Sequence, residues 1–128
     1  MKKNILVDMS CTLIHHGHIR ILKKASKFGN VIIALTSDQQ IKKYKNIKSE
    51  LNFKQRKEIL LSIKFVEKVV KSNFFIDKNF LIRNKIDILV HGSDNKNDPL
   101  IKNIKIFDRT PGISSTILRK RAKMNLDD

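Results

Sequence analysis

The sequence predicts an α/β fold, a Rossmann-like doubly wound parallel sheet in a single domain spanning residues 1–128. Three observations carry this. Short apolar runs without polar alternation recur along the chain, as strands covered on both faces require. Segments of helical periodicity separate them, and the connections are short, which is the βα order of a parallel sheet.

The first run, Ile5-Leu6-Val7, reads as a buried strand ending near Met9-Ser10. From His18, apolar residues Ile19, Ile21, Leu22, Ala25 and Phe28 recur at helical spacing, with Gly29-Asn30 as the expected C-terminal stop. Val31 to Leu35 is a second strand. After Thr36-Ser37-Asp38, a Lys-rich stretch to Asn52 predicts a short helix and a mobile loop. Phe53 to Ile63 is the next helix, with Ile59, Leu60 and Ile63 on one face. Phe65-Val66 with Val69-Val70 marks a third strand, interrupted by Glu67 and Lys68. Phe75 to Asn84 reads as a helix, and Ile86 to Val90 as a strand running into His91-Gly92-Ser93-Asp94. A polar connection, Lys96 to Lys102, leads to a last strand at Ile104–Phe107. Ser114 to Met124 forms the closing helix, followed by a frayed acidic tail.

Composition narrows the function. The chain has 128 residues, 27 Lys plus Arg and 12 Asp plus Glu, a net charge of +15. Such a charge favours phosphate-bearing partners. Yet Lys (21), Ile (19) and Asn (11) supply 51 of the 128 residues, and A/T-rich codons encode all three. The lysines are dispersed, and most of the seven Phe lie in apolar runs rather than as stacking platforms. The expectation is therefore a positive surface for small phosphorylated ligands, with no specific nucleic acid. Cys11 is the single cysteine, which excludes an internal disulfide. No stretch approaches the roughly 20 apolar residues of a membrane span. The run after Lys2-Lys3 stops at Asp8, short of a secretory signal, so a cytoplasmic protein without a membrane partner is expected.

Ligands of such sheets bind beyond the carboxyl ends of the strands, at the switch point. Three polar segments follow strands: Met9–His18, His91–Asp94 and Arg109–Thr116. In the first, His15-His16-Gly17-His18 opens a helix and places His15 and His18 on one face of its first turn. Gly17 permits close approach of a ligand, and the helix N-terminus attracts an anion. A helix-capping role for the histidines is the plainer alternative. A zinc site of His15, His18, His91 and Cys11 is another. The segment Arg109-Thr110-Pro111-Gly112-Ile113-Ser114-Ser115-Thr116 joins a guanidinium and several hydroxyls to a second helix N-terminus, again a phosphate cradle. Ser114 or Ser115 would cap that helix in any protein.

These residues together resemble the small nucleotidyltransferases of the cytidylyltransferase type, and within them most closely the glycerol-3-phosphate cytidylyltransferases. The resemblance rests on His15-x-Gly17-His18, the Lys-rich loop, Arg56-Lys57, Gly92-Ser93-Asp94 and Arg109-Thr110-x-Gly112-Ile113-Ser114-x-Thr116, in order across the chain. The chain departs from that pattern where Met9-Ser10-Cys11-Thr12 replaces Gly-x-Phe-Asp, where Ile47 replaces a loop lysine, and where Ser93 replaces an aspartate.

The resemblance implies CMP transfer from CTP to a small phosphorylated alcohol of the glycerol 3-phosphate kind, with pyrophosphate released. It implies catalytic roles for His15, His18 and Arg109. Ser10, Cys11, Gly17, Lys48, Asp94, Thr110, Ile113, Ser114, Ser115 and Thr116 would bind nucleotide, and Lys45 and Lys78 the acceptor. Mg²⁺ is expected to travel with the triphosphate rather than in a protein cage, and a homodimer is the expected assembly. Phosphocholine, phosphoethanolamine or a phosphonate remain alternative acceptors. An adenylyltransferase of the same fold and a non-catalytic nucleotide- or RNA-binding module remain alternative functions.

Overall fold

The computed structural model describes residues 2–92 and 98–127. Ten elements follow one another: β1 (Lys3–Met9), α1 (His16–Ser26), β2 (Gly29–Thr36), α2 (Asp38–Lys45), α3 (Phe53–Leu61), β3 (Lys68–Ser72), α4 (Lys78–Arg83), β4 (Ile88–Gly92), β5 (Ile104–Phe107) and α5 (Ser115–Asp127). The five strands form one parallel sheet in the order β3-β2-β1-β4-β5. β1 is central, with Ile5 opposite both Val31 of β2 and Ile88 of β4. The winding runs outward from β1 to β3 on one side and through β4 to β5 on the other. The crevice between the ends of β1 and β4 is therefore the switch point.

Strand periodicity divides the core between the two faces. Ile5, Val7, Val31, Ile33 and Leu35 pack with Leu22 and Ala25 of α1 and Leu60 of α3. Leu6, Ile32, Ala34 and Leu89 face the other way, toward Ile76 and Phe80. Both faces of β1 and β2 are thus covered, which is why their sequences do not alternate.

Several boundaries differ from the sequence expectation, each for a local reason. Gly29 and Asn30 do not stop α1; Lys27 caps it, and Gly29 opens β2. A Cβ at Gly29 would collide with the Lys3 carbonyl oxygen, so the glycine serves strand pairing. β3 begins only at Lys68, because Phe65 and Val66 pack against the core from the turn that precedes it. α4 begins at Lys78, not Phe75, since Asp77 accepts a bond from the Phe80 N–H (2.8 Å) and so fixes the start. α5 continues to Asp127 where a frayed tail was expected.

One side chain ties the functional end of the sheet together. Arg56 of α3 has no exposed surface. Its guanidinium donates to the carbonyls of Ser10 (2.8 Å) and Thr36 (2.9 Å), just past β1 and at the end of β2. It also donates to Leu51 O (3.1 Å) and to the Asp38 carboxylate (2.6 Å) at the start of α2. Replacing it by an apolar residue would strand buried acceptors. Arg56→Met is expected to lose about 1–3 kcal/mol of stability, the penalty of leaving buried acceptors without donors, since the Asp38 carboxylate is 47% exposed and keeps its water. Urea unfolding should show a lower midpoint at unchanged slope, and a loss under 1 kcal/mol would contradict the staple.

Candidate functional site

A cleft of about 580 Å³ opens at the carboxyl ends of the strands. Its walls are the end of β1 and the following loop, the first turn of α1, Lys45 at the end of α2, residues 74–76, His91 of β4, and residues 109–116. It thus gathers His15, Gly17, His18, Arg109, Thr110, Ile113, Ser114, Ser115, Thr116, Ser10, Cys11 and Lys45 from the residues the sequence singled out.

The first turn of α1 is built by its two imidazoles. His15 is the N-cap, and its Nδ1 accepts from the Gly17 N–H (3.0 Å). The His15 N–H donates to His18 Nδ1 (3.1 Å), closing a reciprocal capping box in which histidine replaces the usual Ser and Glu. The capping alternative and the ligand-binding one are therefore compatible. With Nδ1 of each ring accepting a backbone proton, each neutral imidazole carries its own proton on Nε2.

The rings lie 4.0 Å apart between centroids. Burial pushes the His18 pKa down to about 3, assisted by His15 and by the charges of Lys45 and Arg109. Burial, then His16, also lowers that of His15. Both rings stay neutral at ordinary pH and offer Nε2–H as a donor.

Gly17 is needed here for a reason other than ligand approach. A Cβ would stand 2.8 Å from His15 Cε1 and 2.9 Å from its Nδ1, so the missing side chain makes room for the capping ring.

The second helix N-terminus divides its hydroxyls. Ser114 Oγ accepts from the Ile117 N–H (3.0 Å), an N-cap that leaves the hydroxyl proton for a ligand. Ser115 is committed elsewhere: its Oγ donates to Leu13 O (2.9 Å) and accepts from Leu13 N–H (3.2 Å), stitching α5 to the loop after β1. Thr116 and Arg109 are exposed along the cleft.

The loop after β1 is tightly held. Ser10 donates its hydroxyl to Thr36 Oγ1 (3.3 Å). Cys11 adopts a left-handed φ of 38° and is buried, and burial raises its thiol pKa to about 12 despite the opposing charges of Arg56 and Lys45. It is a protonated, inert thiol. The zinc alternative finds no geometry either: among the described residues no group of three or more His, Cys, Asp or Glu could hold a metal ion.

Two lysines fall away from the cleft. Lys48 is exposed in the segment 46–52, and Lys78 is exposed at the start of α4, where its N–H donates to the Asp98 carboxylate (3.0 Å). Asp94 lies outside the described residues, as does Ser93. Segment 46–52, where the sequence predicts a mobile loop, is tied at two points: Leu51 O accepts from Arg56, and Glu50 pairs with Arg119.

Sequence reasoning missed one feature in the crevice itself. Asp8 and His91, at the ends of β1 and β4, meet at 2.9 Å between Oδ1 and Nδ1. The only signal was a polar residue terminating each apolar run. Asp8 is the one carboxylate among the described residues lining the cleft.

Residues 12–121 match the family model described as cytidylyltransferase-like. The glycerol-3-phosphate cytidylyltransferase of Bacillus subtilis is 29% identical over 123 residues, covering 92% of this chain and 95% of the relative. The bifunctional protein HldE of Campylobacter concisus is 28% identical over 130 residues, but this chain spans only 28% of its length. A crystal structure of a lipopolysaccharide core biosynthesis protein from Thermoplasma volcanium shares the fold, with a TM-score of 0.70 at 19% identity over 86% of this chain and 98% of that one.

Two outcomes follow from the histidine geometry. The His18 pKa is depressed on folding, so between about 6.5 and about 3 the unfolded chain binds the extra proton. Stability contributed by neutral His18 is complete above pH 6.5 and falls as the pH drops through that window. The difference in unfolding free energy between wild type and His18→Asn should therefore shrink on acidification, and a pH-independent difference would refute the assignment. Gly17→Ala should expel the His15 ring and cost about 1 kcal/mol, the worth of an N-cap. Thermal unfolding measures this, and an unchanged midpoint would show that the ring is not held by the glycine.

Proposed function

Because this chain belongs to the cytidylyltransferase-like family, we propose that it transfers CMP from CTP to a small phosphorylated alcohol of the glycerol 3-phosphate kind. The observation that carries the proposal is the pair of neutral imidazoles at the start of α1, facing the same cleft as Arg109 and the first turn of α5.

An oxygen of the acceptor phosphate attacks the α-phosphorus of CTP. A new P–O bond forms as the α–β bridging bond breaks, and pyrophosphate leaves with the electron pair. No covalent enzyme intermediate is required, in keeping with a Cys11 thiol that stays protonated. Catalysis rests on orientation and on stabilising the charge that develops on the phosphate oxygens. His15 and His18 donate from Nε2 to the α-phosphate and the departing bridging oxygen, while the positive end of α1 adds its field. Arg109, Thr110, Ser114 and Thr116 hold the β- and γ-phosphates. Lys45 draws in the acceptor phosphate. Ser115 serves indirectly, by keeping Leu13 and thus the approach to α1 in place.

Mg²⁺ fits as part of the substrate. The described walls offer imidazoles, cations, hydroxyls and the single carboxylate of Asp8, which His91 engages. A hard dication prefers triphosphate oxygens and water to such a set.

A second acceptor class is favoured by one observation. Tyr44, Phe74 and Phe75 pack together with centroids 4.9–5.2 Å apart, and the two phenylalanines line the cleft. Exposed aromatic faces attract alkylammonium groups, so phosphocholine and phosphoethanolamine belong in the test.

Pyrophosphate release should be measured with Mg²⁺, crossing CTP, ATP, GTP and UTP with glycerol 3-phosphate, phosphocholine and phosphoethanolamine. Release with CTP and one acceptor is expected. His18→Ala should lower turnover about 10²–10³-fold, as removal of an oxyanion donor does. Release with ATP alone would move the chain to adenylyl transfer, and an active His18→Ala would remove the imidazoles from the mechanism.

A further inference from the structure

The first turn of α5 carries the cradle, but the residue one turn further on, Arg119, does not line the cleft. Its guanidinium instead reaches two other segments. Nε and one terminal nitrogen donate to the two oxygens of Glu50, at 2.6 and 2.8 Å. The same terminal nitrogen donates to Thr12 Oγ1 at 2.9 Å. Thr12 is 2% exposed and follows Cys11 in the loop that leads to His15. Glu50 lies in the segment that continues from α2, whose last residue is Lys45.

Two chain segments that line the cleft, and a third that directly follows the cleft residue Lys45, thus meet on one guanidinium. α5 brings Ser114 and Thr116, the loop after β1 brings the approach to His15, and segment 46–52 follows Lys45. Ser115 makes a second tie between the first two, one helical turn earlier. Segment 46–52 has a further hold in Arg56, through Leu51 O, and the buried hydroxyl of Ser49 donates to that same carbonyl. Thr12 offers only a hydroxyl, so the loop itself gives Arg119 no carboxylate. Here the carboxylate comes from Glu50, so the ion pair extends the tie to the lysine-bearing segment.

We infer that Arg119 is a positioning residue for nucleotide transfer: bridging Glu50 and Thr12, it holds segment 46–52 and the loop after β1 against the cradle helix. This rests on the proposed nucleotide chemistry for its kinetic consequence but not for its structural one. The pair is bidentate, the geometry in which an Arg–carboxylate bond is most directional. Both side chains remain partly exposed, at 30% and 37%, so strong salt should weaken it. The Glu50 carboxyl is held below the usual carboxylate range, chiefly by its bond from Arg119, so the tie persists at mildly acid pH.

The test uses the full chain. In Arg119→Ala the KM for CTP is expected to rise about ten-fold, equivalent to about 1.4 kcal/mol, with kcat at saturation nearly unchanged. Glu50→Gln should reproduce the rise, the double variant should add little to it, and Arg119→Lys should recover part of it. Amide hydrogen exchange across 46–52 should accelerate in Arg119→Ala and Glu50→Gln alike, with the exchange of β1 unaltered to show that the fold is intact. Wild-type exchange in 46–52 for Arg119→Ala would overturn the bridge. A KM rise in Arg119→Ala that Glu50→Gln does not share would also overturn it, because Arg119 would then be touching the nucleotide. Should the wild type turn over no CTP, the substrate reading fails, while the exchange measurement still decides the bridge.

Discussion

The geometry of the cleft depends on a buried cation. Where parallel strands end, their last carbonyls lose ladder partners as the chain splays into loops, and an unpaired buried carbonyl is costly. Arg56 meets that need for β1 and β2 with one planar group, accepted by Ser10 O and Thr36 O. A fully buried guanidinium is itself unfavourable without a counter-charge. Asp38 supplies it while also accepting from the Phe53 N–H (3.0 Å), thereby joining the starts of α2 and α3. The ends of two strands, the onset of two helices and the crossing at Leu51 are therefore set by one side chain. The cleft is then lined by what these elements carry.

The chemistry of the histidines follows from the same kind of backbone accounting. A helix begins with N–H groups that lack partners. In α1, imidazole Nδ1 atoms take two N–H groups, from His15 and Gly17, in that region. Those bonds fix ring orientation and tautomer together, so structural and chemical roles reside in the same atoms. Burial and the adjacent Lys45 and Arg109 then keep His18 unprotonated. A charged imidazolium would add attraction for the triphosphate but would lose its capping bond, since Nδ1 would become a donor. In the proposed reaction, fixed cations would attract the nucleotide, while neutral donors would meet the charge that develops during transfer.

Much of this was legible in the chain because burial on both sheet faces leaves unbroken apolar runs, and β1, β2 and β4 show them. The strand at Lys68–Ser72 was less so: Phe65 and Val66 are as apolar as strand residues but cover the core from a turn. The motifs at 15–18 and 109–116 located the cleft, because sequence spacing on a helical turn predicts proximity directly. Sequence did not show how each hydroxyl was spent. Ser114 and Ser115 read alike, yet one caps α5 and the other binds Leu13. Nor could it separate Lys45 from Lys48, since the end of α2 at Lys45 and the left-handed φ of 54° at Asn46 decide which lysine faces the cleft. Contacts between distant segments were invisible for the same reason: Arg119 and Glu50 are 69 residues apart.

The segment Met9–Thr12, where the chain departs from the sequence pattern it resembles, is held in shape by bonds from outside it. A glycine at position 9 is not demanded by the backbone here, because the positive φ falls on Cys11 instead. Such a conformation at a non-glycine residue costs on the order of 1 kcal/mol. The surrounding bonds over-determine it: Arg56 holds Ser10 O before it, and Arg119 holds Thr12 Oγ1 after it. Met9 packs against the core on one side and lines the cleft on the other. The loop is therefore anchored at both ends by arginines from different helices, while His15 and His18 are oriented by bonds within their own turn. Because the two sets of bonds share no atoms, the loop can change its residues while the imidazoles keep their bearing on the cleft.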